Sequence, residues 1–196
     1  MINVARTKQF DDKIKAYLTD HPSASIVNIG AGLDSAFYRV DNGLIHWYDL
    51  DLPAVIDIRR QLLPEPDRVT YIAKSLLDPS WCDDIKHTED GVFMMSGGVL
   101  MYFKESQVRQ FFSLLADNLP SGEIVFDVVS KLAAFFFVWS MRKMGVPGAR
   151  AKWAIKDANK MTKWDKRIEV IDQFPFFKNI PRDPARGSQI KRWMDG

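Results

Sequence analysis

Apolar residues gather in six short runs, at 26–30, 45–50, 69–73, 92–96, 123–129 and 168–172. Each is near-continuous rather than alternating, the pattern of strands buried on both faces of a sheet. Between the first five lie segments with helical spacing. Residues 54–63 follow Pro53, and in 105–118 the residues Val108, Phe111, Phe112 and Leu115 recur every three or four positions. Alternating strands and helices predict an α/β fold, a doubly wound, mostly parallel sheet with helices on both faces. Right-handed crossovers then place ligands at the carboxyl edge, near the switch between the first and fourth strands.

Residues 131–164 predict helix, interrupted at Gly145, Val146, Pro147 and Gly148. In its second half Lys152, Lys156, Lys160 and Lys163 recur at intervals of three and four, with Trp153, Met161 and Trp164 on other faces. That spacing predicts an amphipathic helix with one cationic stripe, either a solvated face or an attractor for an anionic acceptor. Beyond residue 172 the chain is rich in proline and arginine and offers no further strand. No repeat, low-complexity tract or linker divides the sequence, so residues 1–196 predict a single domain whose part from 131 to 196 is basic and mostly helical.

Composition narrows the class. A chain of 196 residues that is 46% hydrophobic and 27% charged can bury one good core. The longest apolar stretch, residues 132–139, is far short of the roughly 20 residues that cross a bilayer, and is read as a buried segment or an interface. The first residues carry acids and lack the apolar core of a secretory signal, so a cytoplasmic protein is expected. A single cysteine, Cys82, excludes an internal disulfide and a multi-cysteine metal site, and it lies in no nucleophilic motif. Charge is uneven: 12 Lys+Arg oppose 19 Asp+Glu in residues 1–130, whereas 15 oppose 6 in residues 131–196. The halves carry −7 and +9, so the basic part can meet an anionic substrate, a nucleic acid or the acidic body of the same molecule.

The candidate chemistry lies in residues 26–53, which read as strand, glycine turn, helix, strand and terminal acid. Gly30, Ala31 and Gly32 let the backbone turn tightly beside a ligand, and Asp51 ends the second strand about twenty residues on, where ribose hydroxyls sit in such units. Dinucleotides and S-adenosylmethionine both use this arrangement. A pyrophosphate binder prefers a third glycine where this chain has Ser35, and Asp34 places negative charge beside the helix N-terminus. That charge would repel a pyrophosphate and suit an ammonium and a sulfonium, so the residues lean towards S-adenosylmethionine. His46, inside the second strand, reads as structural rather than as a base.

Four motifs, ARTKQFD at 5–11, VNIGAGLDS at 27–35, WYDLDLP at 47–53 and GGVLMYF at 97–103, resemble the leucine carboxyl methyltransferase family. The resemblance is strongest to its bacterial branch of tetracenomycin polyketide synthesis-type O-methyltransferases. It implies a class I S-adenosylmethionine methyltransferase, Rossmann-like, with a seven-stranded sheet. It also implies that Arg6 pairs with the methionine carboxylate of the cofactor, that Gly30 touches the cofactor, and that Asp51, with Leu52 beside it, meets the ribose. Ser75 and Leu76 fall where the adenine is held. Family members often carry an acid at the position of Gly97, next to the cofactor amino group, which this chain lacks. Tyr102 falls where an acceptor is oriented.

The implied function is an O-methyltransferase acting on a hydroxyl or carboxylate of a small, polyketide-like molecule, with no metal and no membrane partner. Three rivals are a nicotinamide-dependent oxidoreductase, disfavoured by Ser35 and by the lack of a Tyr-x-x-x-Lys arrangement, a nucleic-acid-binding protein, and a non-catalytic relative of the fold. The resemblance also implies N-terminal lid helices and a seventh strand. The Arg6 motif begins almost at Met1 and no strand candidate follows the sixth, so the chain is expected to lack the lid and the last strand, either as a truncated sequence or as a shortened member whose open cofactor cleft a partner subunit covers. Exposed Phe174, Phe176 and Phe177 are expected to favour a homo-oligomer.

Overall fold

A computed structural model describes residues 2–145 and 150–175. In chain order the elements are α1 (Ile2–Asp20), β1 (Ser25–Ile29), α2 (Phe37–Val40), β2 (His46–Asp51), α3 (Pro53–Leu62), β3 (Val69–Ala73), β4 (Val92–Ser96), α4 (Glu105–Asn118), β5 (Glu123–Phe126) and α5 (Lys131–Lys143). Short 3₁₀ helices occupy Pro79–Asp84, Leu100–Tyr102 and Ala158–Lys163. The five strands form one parallel sheet in the order β3-β2-β1-β4-β5. The α/β doubly wound expectation is met, and β3, β4 and α4 fall on their predicted bounds.

Successive strand residues feed opposite layers, as the two-residue period of a strand requires. Val27, Ile29, Tyr48, Leu50, Ile72 and Met94 pack with Phe111, Phe112 and Leu115 of α4. Ile26, Trp47, Phe93 and Met95 pack on the other face, with Phe10, Ile14 and Leu18 of α1 and Ile56 of α3. The spacing of four along α1 puts its three apolar residues on one stripe, and burying each such side chain contributes about 1.5–3 kcal/mol.

At the β3 edge the outward-facing Tyr71 N–H donates to Glu65 Oε1 at 2.7 Å, and the Tyr71 hydroxyl donates to the Pro64 carbonyl at 2.9 Å. A carboxylate thus occupies a backbone donor that would otherwise template another strand.

Three expectations fail. Residues 168–172 are not a strand; Ile168 leans on the core, while Asp172 pairs with Lys13 of α1 at 3.2 Å and Gln9 donates to the Pro175 carbonyl at 3.2 Å, so the segment runs along α1 instead of pairing with β5. Residues 152–163 are not an α-helix. Lys152 N and Trp153 N donate to the Met101 carbonyl at 2.7 and 3.2 Å and Ile155 N donates to Val129 O at 3.1 Å, which ties an extended strap across the carboxyl ends of β4 and β5. Trp153 and Met161 are buried in the core, whereas Lys152, Lys156, Lys160 and Lys163 are exposed. Tertiary burial of the aromatic residues outweighs the helical spacing of the lysines.

Within 132–139, read as a buried segment or an interface, Ala134 is buried while Leu132, Phe135, Phe136 and Trp139 of α5 face solvent, and Lys143 Nζ lies 3.9 Å from the Trp139 ring centroid. Third, Phe174 is half-buried with Lys13 Nζ 4.9 Å from its ring centroid, rather than exposed. Phe176 and Phe177, the interruption at Val146, Pro147 and Gly148, and the Pro/Arg-rich tail lie outside the described residues. Among the described residues no helix is long and apolar enough to cross a membrane.

Candidate functional site

Parallel strands put the residues that follow them on one edge, and here that edge carries Ser75 after β3, Asp51 at the end of β2, Gly30 after β1 and Gly97 after β4, in that spatial order. The turn after β1 is set by two left-handed glycines, Gly30 at φ 72° and Gly32 at φ 50°. Gly30 N and Ala31 N both donate to the Leu50 carbonyl, at 2.8 and 3.2 Å. A Cβ on Gly30 would stand 2.3 Å from Cγ2 of Val99, so the glycine is required both by its φ and by the β4 loop pressed against it. Space around Gly32 is open, with nothing within 4 Å of a Cβ built there.

Asp51 closes this turn. Its Oδ2 accepts the Gly32 N–H at 2.8 Å and its Oδ1 accepts the Leu52 N–H at 2.7 Å. It does not cap the first turn of α3, whose N-cap is Leu52. Leu52 itself is exposed, on the solvent side of the turn. The helix after the glycines is only the four residues of α2, and the carboxylate of Asp34 lies 3.3 Å from Arg39, which in turn grips Asp11 of α1 through Nε at 2.7 Å and NH2 at 3.1 Å. Asp34 is therefore paired with Arg39 and does not present the bare charge that would turn away a pyrophosphate.

Beneath the turn sits an ion pair that sequence reasoning missed. Asp49 Oδ2 accepts from Arg59 NH2 at 2.6 Å, while Oδ1 accepts from Trp47 Nε1 at 2.9 Å and from Asn28 Nδ2 at 3.0 Å. The same guanidinium donates to Gly32 O at 2.9 Å and Asp34 O at 2.8 Å. Both side chains are almost wholly buried. Burial pushes the Asp49 carboxyl up from the ordinary carboxylate range, while Arg59, Trp47 and Asn28 pull it down. The signal available in the sequence was an arginine three residues from Ile56, on the apolar face of α3.

On the other flank of Gly30, Arg6 of α1 reaches over the β4 loop. Its NH1 lies 2.9 Å from Asp127 Oδ2, just past β5, and Asp127 Oδ1 accepts the Gly98 N–H at 2.7 Å. Both loop glycines make room for it: a Cβ on Gly97 would meet Arg6 Nε at 3.3 Å, and one on Gly98 would meet NH1 at 2.8 Å. Asp127 was not a sequence candidate, since nothing in the sequence relates residues 121 positions apart.

Other candidates fall into place differently. Leu76 is buried and packs in the core with Trp81, whose Nε1 donates to its carbonyl at 3.2 Å; Ser75 Oγ accepts the Leu77 N–H at 3.2 Å. Tyr102 is 42% exposed at the end of a 3₁₀ turn beside Met101, where the basic strap is anchored. Cys82 is buried, and burial pushes its thiol up to about 11, which suits packing rather than nucleophilic work. His46 lies at the opposite, amino end of β2, half-buried, with its ring 3.7 Å from that of His87. Burial and His87 lower its pKa. A cavity of about 540 Å³ beside this pair contains none of the glycine-turn residues, and its Arg68 and Lys86 are engaged by Asp41 and by the Asp83 carbonyl. No group of three or more His, Cys, Asp or Glu suited to a metal occurs among the described residues.

A parallel sheet in this order, with a glycine turn after β1, an acid closing β2 and an arginine laid over the β4 loop, defines the class I methyltransferase fold. The chain belongs to the leucine carboxyl methyltransferase family, whose family model matches residues 1–116. It is 28% identical over 190 residues to the tetracenomycin polyketide synthesis O-methyltransferase TcmP of Streptomyces glaucescens, covering 96% of this chain and 69% of that protein. It is 25% identical over 189 residues to the S-adenosyl-L-methionine-dependent methyltransferase dpfgK of Gibberella zeae, covering 86% of this chain and 63% of the relative. The chain thus spans about two thirds of the length of these relatives.

Among solved structures, a SAM-dependent methyltransferase from Anabaena variabilis superposes with a TM-score of 0.61 at 15% identity, over 89% of this chain and 85% of that one. Magnesium protoporphyrin IX methyltransferase from Synechocystis, with bound SAH, gives 0.53 at 14% identity, over 83% and 73%. At such identities the likeness establishes the fold.

Proposed function

We propose that the protein binds S-adenosylmethionine along the carboxyl edge of its sheet and transfers the methyl group to a hydroxyl or carboxylate oxygen of a small, polyketide-like molecule. The observation that carries this reading is the Asp51–Gly32 hydrogen bond, which fixes an acid at the mouth of a glycine turn with open space beside it. Family membership and the relatives' O-methyltransferase and S-adenosyl-L-methionine-dependent activities support it.

The residues fit the cofactor. Each Asp51 oxygen spends one acceptor position on a backbone N–H and keeps another, enough to receive a pair of ribose hydroxyls. Gly30, Ala31 and Gly32 bring backbone close without side-chain obstruction, with Leu52 at the rim. Arg6 offers a planar guanidinium suited to a carboxylate. Ser75 and Leu76 stand at the end of β3 for the adenine, Leu76 contributing a fixed apolar wall and Ser75 a polar group.

When bound, the cofactor supplies an electrophilic methyl group on sulfur. The chain's own contribution is then to orient the acceptor, hold it in line and exclude water. Tyr102 borders the acceptor side, and Lys152 on the adjoining strap supplies positive charge there. A carboxylate acceptor is already ionised at neutral pH. A phenol, with a pKa near 10, gains from a cationic neighbour of this kind.

Isothermal titration with S-adenosylhomocysteine tests the reading: micromolar binding is expected in the parent and its loss in Asp51→Ala. Undiminished heats in that variant would sink it.

A further inference from the structure

The amino-acid end of S-adenosylmethionine is a zwitterion, so a site for it needs an anion for the ammonium as well as a cation for the carboxylate. Resting on the cofactor reading above, we propose that Asp127 supplies that anion. It is a cofactor-binding residue outside the span of the family-model match, acting as one half of an Arg6–Asp127 charge pair that recognises the zwitterion.

Four observations point to it. Asp127 follows β5 and Gly97 follows the adjacent β4, so the carboxylate lies at the same sheet edge as the glycine turn, two strands over from β1. Gly97 and Gly98 have no side chains to offer, and a Cβ on either would stand against Arg6. The carboxylate is held in place from two sides, by the Gly98 N–H at 2.7 Å and by Arg6 NH1 at 2.9 Å, and its side chain is only 8% exposed. Finally, Arg6 spends one nitrogen on Asp127 while its side chain stays 25% exposed, leaving the rest of its fork for a second carboxylate.

Adjacent opposite charges at 2.9 Å are complementary to an α-amino acid, whose carboxylate and ammonium are separated by one carbon. Each Asp127 oxygen holds one hydrogen bond and keeps a second acceptor position for an N–H of the ammonium. A lone arginine would accept any carboxylate, so the pair makes the site selective for the full amino acid.

Calorimetry on the full chain with two ligands tests this. S-Adenosylhomocysteine carries the whole zwitterion, and its desamino analogue keeps the carboxylate and lacks only the ammonium. The parent should bind S-adenosylhomocysteine at least about tenfold more tightly than the analogue, and Asp127→Asn should abolish that preference while holding the analogue within about twofold. Equal affinity of the parent for both ligands overturns the assignment without needing any variant to fold. Equal losses for both ligands in Asp127→Asn overturn it too, since Asp127 then merely holds Arg6. If the parent binds neither ligand, the cofactor reading itself falls and takes this one with it.

Discussion

Arg59 lies beneath the glycine turn, NH2 2.6 Å from Asp49 Oδ2, and the same guanidinium holds the carbonyls of Gly32 and Asp34. A single buried cation thus joins a mid-strand acid to the loop that shapes the candidate site. Removing it strands the Asp49 charge in the core and frees two turn carbonyls. Arg59→Met should cost about 3–5 kcal/mol in urea unfolding, the usual range for breaking one partner of a buried pair. Arg59→Lys should recover little, because a point charge cannot reach all three acceptors that the fork spans.

Gly30→Ala should destabilise the fold by about 1–3 kcal/mol, because it combines a left-handed residue with a methyl 2.3 Å from Val99. The double variant with Val99→Ala should recover only the steric part. Thermal melts of the two variants separate these contributions.

The strap across the carboxyl edge is part of the core. Trp153→Ala should cost about 3–5 kcal/mol, as for other large-to-small changes at buried aromatics. Neutralising Lys152, Lys156, Lys160 and Lys163 together should leave stability within about 0.5 kcal/mol per site. Equal effects in denaturant titrations would place the strap outside the core.

Stability should fall as the solution is acidified through the histidine range. In the folded chain burial and the neighbouring His87 lower the His46 pKa below its ordinary 6.5, so the unfolded chain binds more protons there. The stabilising contribution is fully present above the unfolded value and is lost as pH falls from it through the lowered folded value. His46→Gln should flatten that part of a stability–pH curve measured by thermal denaturation.

Cys82 should resist alkylation in the native state. With its thiol pushed up to about 11, negligible thiolate is present at pH 8, and mass spectrometry should show labelling by iodoacetamide only after unfolding.

Much of the sheet was legible from the sequence because its strands are buried on both faces. Val92–Ser96 carries that burial along its whole length and Val69–Ala73 all but at the exposed Thr70, and Val108, Phe111, Phe112 and Leu115 mark α4 by spacing alone. The 168–172 run imitates a strand, yet its Asp172 pairs with Lys13 of α1. The lysines at 152–163 imitate a helix, yet Trp153 and Met161 are drawn inwards. Gly30 and Asp51 were legible because one local unit contains both. Asp127, Arg59 and Asp49 were not, because a charge's partner is set by topology, and sequence distance carries no trace of it.

Glu65 occupies the Tyr71 N–H on the rim of β3. The cap costs no extra chain: one carboxylate, six residues before the donor it covers, blunts that point of the rim against pairing with a strand of another molecule and ties the end of α3 to β3.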